Sequence, residues 1–263
     1  MSFLVNPYWY APSCGDADAV AFLTATGITD ATISSAICTL VTTMKADGTW
    51  AKMSAIYPMV GGTATTHKFN LKNPLDTNAA FRLSFNGGWT HSSNGALPNG
   101  TNTYAITFFN PSANASQNSH HISYYSRTNS NLTEVESGGA NTTQGSVLEI
   151  RTSNITYFRI NSSTVYTTAA DTDSRGNYIA NRTASNVING WRNSTKIATG
   201  TTASSSLVNL NYYIGALNNN GATAFYSRKE CAFATIGSGL TDGEAALLYS
   251  SIQAFQTTLA RQV

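Results

Sequence analysis

Residues 185–256 read SNVINGWRNSTKIATGTTASSSLVNLNYYIGALNNNGATAFYSRKECAFATIGSGLTDGEAALLYSSIQAFQ, and this stretch decides the fold. Asn189-Gly190 stands between Val187-Ile188 and Trp191. Asn-Gly flanked by β-formers signals a type I′ hairpin, whose two central residues need φ > 0, so a turn is expected there with a strand on either side. In Leu210–Ala216 the alternate residues Leu210, Tyr212 and Ile214 share one side of a second, buried strand, and Gly215 suits a close backbone approach. Cys231–Ile236 reads as a third strand. Thr241 and Glu244 then make a capping box for a helix with Leu248, Ile252, Phe255 and Leu259 on one side, which should lie on a sheet.

Upstream, the period of the apolar residues changes from helical to alternating near His67. Phe81, Leu83 and Phe85 share a face, and Tyr104, Ile106 and Phe108 repeat the pattern. Further short strands are expected over 122–125, 133–136, 147–151, 155–160 and 177–181, with rim loops at 113–120 and 193–206. Many short strands between Gly/Asn turns, with helices only at the ends, specify a sandwich or barrel. Nearer the start, the acidic run at Asp16 opens a short helix that Gly27 ends. Thr29 is expected to cap a longer helix, in which Ile33, Ala36, Ile37, Leu40, Val41 and Met44 form one stripe. The expected organisation is an extended and helical docking segment over 1–66 and a β domain over 67–263 that includes the C-terminal helix.

The order of hairpin, Y-x-I-G strand, strand after a Gly/Asn-rich loop and L-T-D-x-E helix resembles the C-terminal half of concanavalin-like, laminin-G-type jelly rolls. That resemblance implies a mainly β, antiparallel jelly-roll sandwich. Longer words run through nearly the whole chain: LVNPY at 4–8, TGITD at 26–30, LVTTMKADGTW at 40–50, AIYPMVGGTATTHKFNLK at 55–72, GGWTHSSNGALPNGTNTYA at 87–105, SYYSRT at 123–128 and FQTTLARQV at 255–263. In these words the chain is similar to a family of tailed-phage and prophage virion proteins. The resemblance implies a tail-associated or decorating component, made in the bacterial host cytoplasm, with other virion proteins as partners. It implies no catalytic motif. Virion appendages are repeated by symmetry, so a homo-oligomer is the expectation.

Composition has the look of an extracellular or virion β protein. Only 11% of the 263 residues are charged and the net charge is +2, with Lys and Arg scattered, so the electrostatic footprint of a nucleic-acid binder is missing. No apolar segment approaches the ~20 residues needed to span a bilayer. The opening MSFLVNPYWYAPSCG lacks a basic region and breaks its apolar run at Asn6-Pro7, so it does not read as a signal peptide. Cys14, Cys38 and Cys231 are odd in number and lack zinc spacing, and are read as reduced thiols. No cofactor motif is present, and no metal site is expected.

Three sets of residues could carry chemistry. Glu134 and Glu136 would share a strand face with their Cα atoms ~7 Å apart, and some concanavalin-like retaining glycosidases use such a strand motif with carboxyls ~5–5.5 Å apart, but a third acidic residue is absent and solvated carboxylates are the plainer reading. His120 and His121 would point to opposite sheet faces and so cannot chelate one metal, while His67 and His91 read as hydrogen-bonded fold residues. The Asp171–Gly176 turn is a weak calcium-loop candidate without the distal Glu. Saccharides are held by aromatic faces and planar polar groups, which makes Tyr124, Tyr125, Arg127, Tyr178, Arg182 and Trp191 the candidate ligand-binding residues. Tyr8, Trp9 and Tyr10 are the candidate partner-docking residues. Three functions follow: a non-enzymatic virion appendage binding host-surface glycan, a purely structural decoration protein, or a polysaccharide depolymerase using Glu134 and Glu136.

Overall fold

A computed structural model describes residues 14–263; Tyr8, Trp9 and Tyr10 lie outside them. The chain opens with α1 (Ala17–Thr26) and α2 (Ala31–Ala46), enters β1 (Met53–Tyr57), makes the single turn α3 (Ala64–His67) and continues through β2 (Ser84–Asn86), β3 (Thr90–Ser92), β4 (Gly95–Leu97) and β5 (Tyr104–Ile106). After the turn α4 (Pro111–Asn114) come β6 (His120–Ser126), β7 (Ser137–Ala140), β8 (Gly145–Thr152), β9 (Ile155–Ser162), β10 (Thr167–Ala170), β11 (Gly176–Ala184), β12 (Val187–Arg192) and β13 (Thr195–Gly200). The last part holds β14 (Tyr213–Ile214), β15 (Leu217–Asn219), β16 (Ala222–Ala224), β17 (Cys231–Gly237) and α5 (Asp242–Thr258).

The strands build two sheets. An eight-stranded sheet runs β13-β12-β11-β6-β17-β4-β3 with β1 also pairing β17; a nine-stranded sheet runs β10-β9-β8-β7-β14-β5-β2 with β15 and β16 attached beside β7. Pairing is antiparallel except between β15 and β7. The result is a jelly-roll sandwich with a helical segment at its N-terminal side and an amphipathic helix at its C-terminal end, as the sequence predicts.

The central strands of the eight-stranded sheet are buried on both faces, which is why β6 (HHISYYS) and β17 (CAFATIG) are enclosed at every position. On one face Tyr124, Tyr178, Ala234 and Ile236 pack against Leu148, Phe158 and Ile160 of the other sheet. On the opposite face Tyr125, Ile179, Trp191 and Phe233 pack with Leu40 of α2 and Leu248, Ile252 and Phe255 of α5. The molecule therefore has three layers: helices, eight strands, nine strands. β1 falls inside the 1–66 segment yet pairs with β17 from Met53 to Tyr57, so that segment contributes a strand to the sandwich.

Local signals held at most ends. Thr241 and Glu244 form the expected capping box of α5, and Gly27 ends α1 at φ 67. The cap of α2 is Asp30 rather than Thr29: its carboxylate accepts from the Ile33 N–H at 2.8 Å, a better acceptor one residue later. The Asn189-Gly190 turn is corrected. β12 runs straight through these two residues, and its turns lie at Ser185-Asn186 and Asn193-Ser194. Gly190 is there because the Phe158 ring lies where a Cβ would stand, 2.4 Å away. Residues 193–206, expected as a loop, contain β13.

Cys14 and Cys38 form a disulfide, correcting their reading as thiols, whereas Cys231 is free and buried. The spacing of 24 residues carried no motif; α1 and α2 fold back on each other and bring the two sulfurs together. Cys38→Ser is expected to lower unfolding stability by about 2 kcal/mol through the released loop, as urea denaturation with and without reductant will measure. An unchanged midpoint in both conditions would refute a stabilising role.

Candidate functional site

The six residues singled out for saccharide contact are enclosed or engaged by the fold itself. Tyr124 and Tyr178 lie between the sheets, and Tyr125 and Trp191 lie beneath the helices. Tyr124 donates to the Lys229 carbonyl at 2.5 Å, and Tyr178 to Asp171 at 2.7 Å. Arg182 donates to the carbonyls of Ile160, Ala184, Ser185 and Thr202. Burial pushes its pKa down to about 10. Arg127 bridges Glu230 and the Arg261 carbonyl. None of the six presents a free face to a ligand. The rim they were assigned to is core: the second sheet encloses Tyr124 and Tyr178, and the helical layer covers Tyr125 and Trp191.

Glu134 and Glu136 precede β7 instead of forming a strand, and neither is solvated. Both turn inward to Lys229, whose Nζ lies 2.9 Å from Glu134 Oε2 and 3.1 Å from Glu136 Oε1, with all three side chains at most 1% exposed. Arg228 adds a 2.8 Å pair to Glu134 from the surface. Glu136 also accepts from Ser227 Oγ at 2.9 Å and from the Ile150 N–H at 2.5 Å. Burial pushes its pKa up to about 7, against the opposing pull of Lys229. This is an internal ionic network whose lone pairs are already used.

The Asp171–Gly176 turn is likewise occupied. Asp171 accepts from Thr156 and Tyr178 and faces Arg192 at 3.4 Å, while Asp173 holds Arg175 at 2.9 Å. His120 and His121 do take opposite faces: His120 stacks on Phe109, and His121 bonds Ser238 and Thr235. His67 and His91 bond each other, Nδ1 to Nδ1 at 2.9 Å, so one ring donates and the other accepts.

Among the described residues no helix layer packs on the outer face of the nine-stranded sheet, although Val147 and Arg159 on it are enclosed, Val147 in a small cluster with Val135, Ala140 and Leu217. Alternation on β9 places Phe158 and Ile160 in the core and Tyr157 and Arg159 outward. Across the ladder, Tyr157 pairs with Glu149 and Arg159 with Val147, and further over Tyr213 pairs with Gly138 and Ile106 on the same side. Two aromatic pairs stand on this face. Tyr157 and Tyr166 meet edge to face at 5.8 Å between ring centres, and Tyr104 and Tyr213 stack at 4.9 Å. From β9 to β14 is three strand spacings, so the pairs lie ~15 Å apart.

Arg159 sits under Tyr166, with Cζ 5.7 Å from the ring centre and 4% of its surface exposed. Nε and Nη2 both donate to the Ser162 carbonyl, and no carboxylate pairs with it among the described residues. Burial lowers its pKa, with the Tyr166 phenol opposing. Glu149 is half-buried, and desolvation raises its pKa. Exposed apolar side chains rim the same region: Val165 beside Tyr166, Phe225 whose carbonyl accepts from the Val135 N–H, and Leu132 whose carbonyl accepts from Thr152. Phe225 is held at φ 54, a left-handed conformation that is costly for a bulky residue and tends to mark functional positions. The signal for this face was the order Ile155-Thr-Tyr157-Phe-Arg159-Ile160, whose polar and aromatic alternates face away from the core; aromatic residues near tight turns drew the reading elsewhere.

No family model matches the chain, and no curated protein does. Solved structures are similar in fold. A Trypanosoma rangeli sialidase mutant displaying trans-sialidase activity aligns with a TM-score of 0.55 at 11% identity, over 85% of this chain and 39% of its own. Domain 4 of the extracellular arabinanase AbnA from Geobacillus stearothermophilus, solved with arabinotriose, aligns at 0.48 and 11% over 75% of this chain and 98% of its own. The CBM40 of the Ruminococcus gnavus IT-sialidase aligns at 0.37 and 15%, over 49% of this chain and 80% of its own. The sialidase match places the chain in the β-sandwich fold.

Proposed function

We propose that this protein binds carbohydrate without cleaving it, on the outer face of the nine-stranded sheet, and that it does so as an appendage of a phage virion contacting host-surface glycan. The observation that carries the reading is that the sheet face without a helix layer, among the described residues, bears the half-buried rings of Tyr157, Tyr166, Tyr104 and Tyr213 beside an enclosed arginine. Tyrosine rings give sugar C–H faces a flat apolar surface, and their hydroxyls together with Glu149 and Arg159 offer donors and acceptors. The virion setting is supported by the sequence words shared with tailed-phage proteins. Against a depolymerase stands the engagement of Glu134 and Glu136 with Lys229, away from solvent.

Labelled protein should bind candidate host cells saturably and lose that binding when surface polysaccharide is stripped. Tyr157→Ala should weaken binding about tenfold, the equivalent of one lost stacking contact. Tyr125→Phe, under the helices, should leave it unchanged. Equal loss in both variants, or binding that survives stripping, would refute the assignment.

A further inference from the structure

The three most enclosed arginines of the sandwich are not alike. Arg182 spreads its donors over four backbone carbonyls. Arg261 bonds Gln256 Oε1 and the carbonyls of Met59, Ser93, Pro58 and Ala232. A guanidinium has five N–H donors, and in these two the fold meets nearly all of them. Arg159 meets the Ser162 carbonyl with two of its nitrogens and has the Tyr166 phenol beside its guanidinium. Among the described residues its Nη1 has no partner at hydrogen-bond distance, and it is not one of the buried unpartnered atoms. Removing a guanidinium from water without a counter-charge is costly, and the cost is recovered when an anion completes the fork.

We propose that Arg159 is the carboxylate-binding residue of the outer face, so that the protein selects acidic sugars, the class bearing a ring carboxylate, over neutral ones. The inference rests on the glycan-binding reading and narrows it. The planar guanidinium suits a carboxylate bidentately, with Tyr166 against one side of it and Tyr157 two residues away along β9. Glu149, opposite Tyr157 and not paired with Arg159, is left to accept from sugar hydroxyls. Other charged groups are held elsewhere: Arg151 by Asn129 and Asn154, Lys229 by its two carboxylates.

The test uses the whole protein and three acidic polymers, polygalacturonate, alginate and colominic acid, each beside its carboxyl-reduced neutral form, in affinity electrophoresis. At least one acidic polymer should retard the protein, and its reduced form should bind at least tenfold more weakly. Arg159→Gln should abolish that ratio, and Arg159→Lys should keep part of it, while both melt near the wild-type temperature. Equal retardation by an acidic polymer and its reduced form would overturn the carboxylate assignment and leave the glycan reading standing. Retardation by none, in either form, would overturn both.

Discussion

Replacing Lys229 by Met is expected to destabilise the protein by about 4 kcal/mol at pH 7, within the range for breaking a buried ion pair from one side. Lys229 is fully enclosed and neutralises two carboxylates at 2.9 and 3.1 Å. Without it, Glu136 keeps the Ser227 hydroxyl and the Ile150 N–H but has no cation, and Glu134 keeps only the half-exposed Arg228 and a long bond from Ser130. Glu136 will then take up a proton, which caps the loss because a neutral carboxyl is cheaper to bury than a carboxylate. The deficit should therefore shrink as pH falls toward 5. Adding Glu134→Gln and Glu136→Gln to Lys229→Met should recover most of the lost stability, since all charges leave together. Chemical denaturation of the three proteins checks this. A triple variant as unstable as the single one would mean that Lys229 acts through packing and not through charge.

That network also marks where sequence reading stops. The apolar stripe of α2, the capping box of α5 and the strand Cys231–Gly237 were legible because each is fixed by residues within one or two turns of each other. Gly215 was legible from its residue type alone, although the Trp89 ring that lies 2.5 Å from where its Cβ would sit is distant in sequence. What could not be read is anything set by layer order. Tyr125 and Trp191 look like rim residues until the helices are known to cover the eight-stranded sheet, and Tyr124, Tyr178 and Arg182 until the second sheet is known to face them. Asn189-Gly190 looks like a turn until Phe158, from the other sheet, claims the space beside Gly190. Tyr157 and Arg159 were inside a strand that was correctly placed, but which of its faces met water depended on that same layer order.

Lowering the pH from 7 to 5 should cost the folded state about 3–4 kcal/mol, from four enclosed groups whose pKa values are displaced. His67 and His120 are lowered to about 3 and His121 to about 4, each chiefly by burial. An unfolded histidine titrates near 6.5, so between there and pH 4 the unfolded chain binds protons that the native rings refuse. Stability is full above that value and is lost as pH falls, by about 2 kcal/mol per histidine at pH 5. Glu136 acts in the opposite sense. Raised to about 7, it is protonated first in the folded state, and returns about 2 kcal/mol over the same interval. His91, lowered by burial but part-exposed, adds to the loss. The carboxylates held low by partners, such as Asp76 beside Lys68, titrate further down and do not enter this window. Urea denaturation at pH 7, 6 and 5 measures the slope, and His120→Phe should remove about a third of the histidine contribution, because its ring lies between Phe109 and Tyr212 with Nε2 unpartnered among the described residues. A flat profile from 7 to 5 would mean that these rings reach water or a proton acceptor in the folded protein, and the sheet interior would have to be more open than the packing of β6 allows.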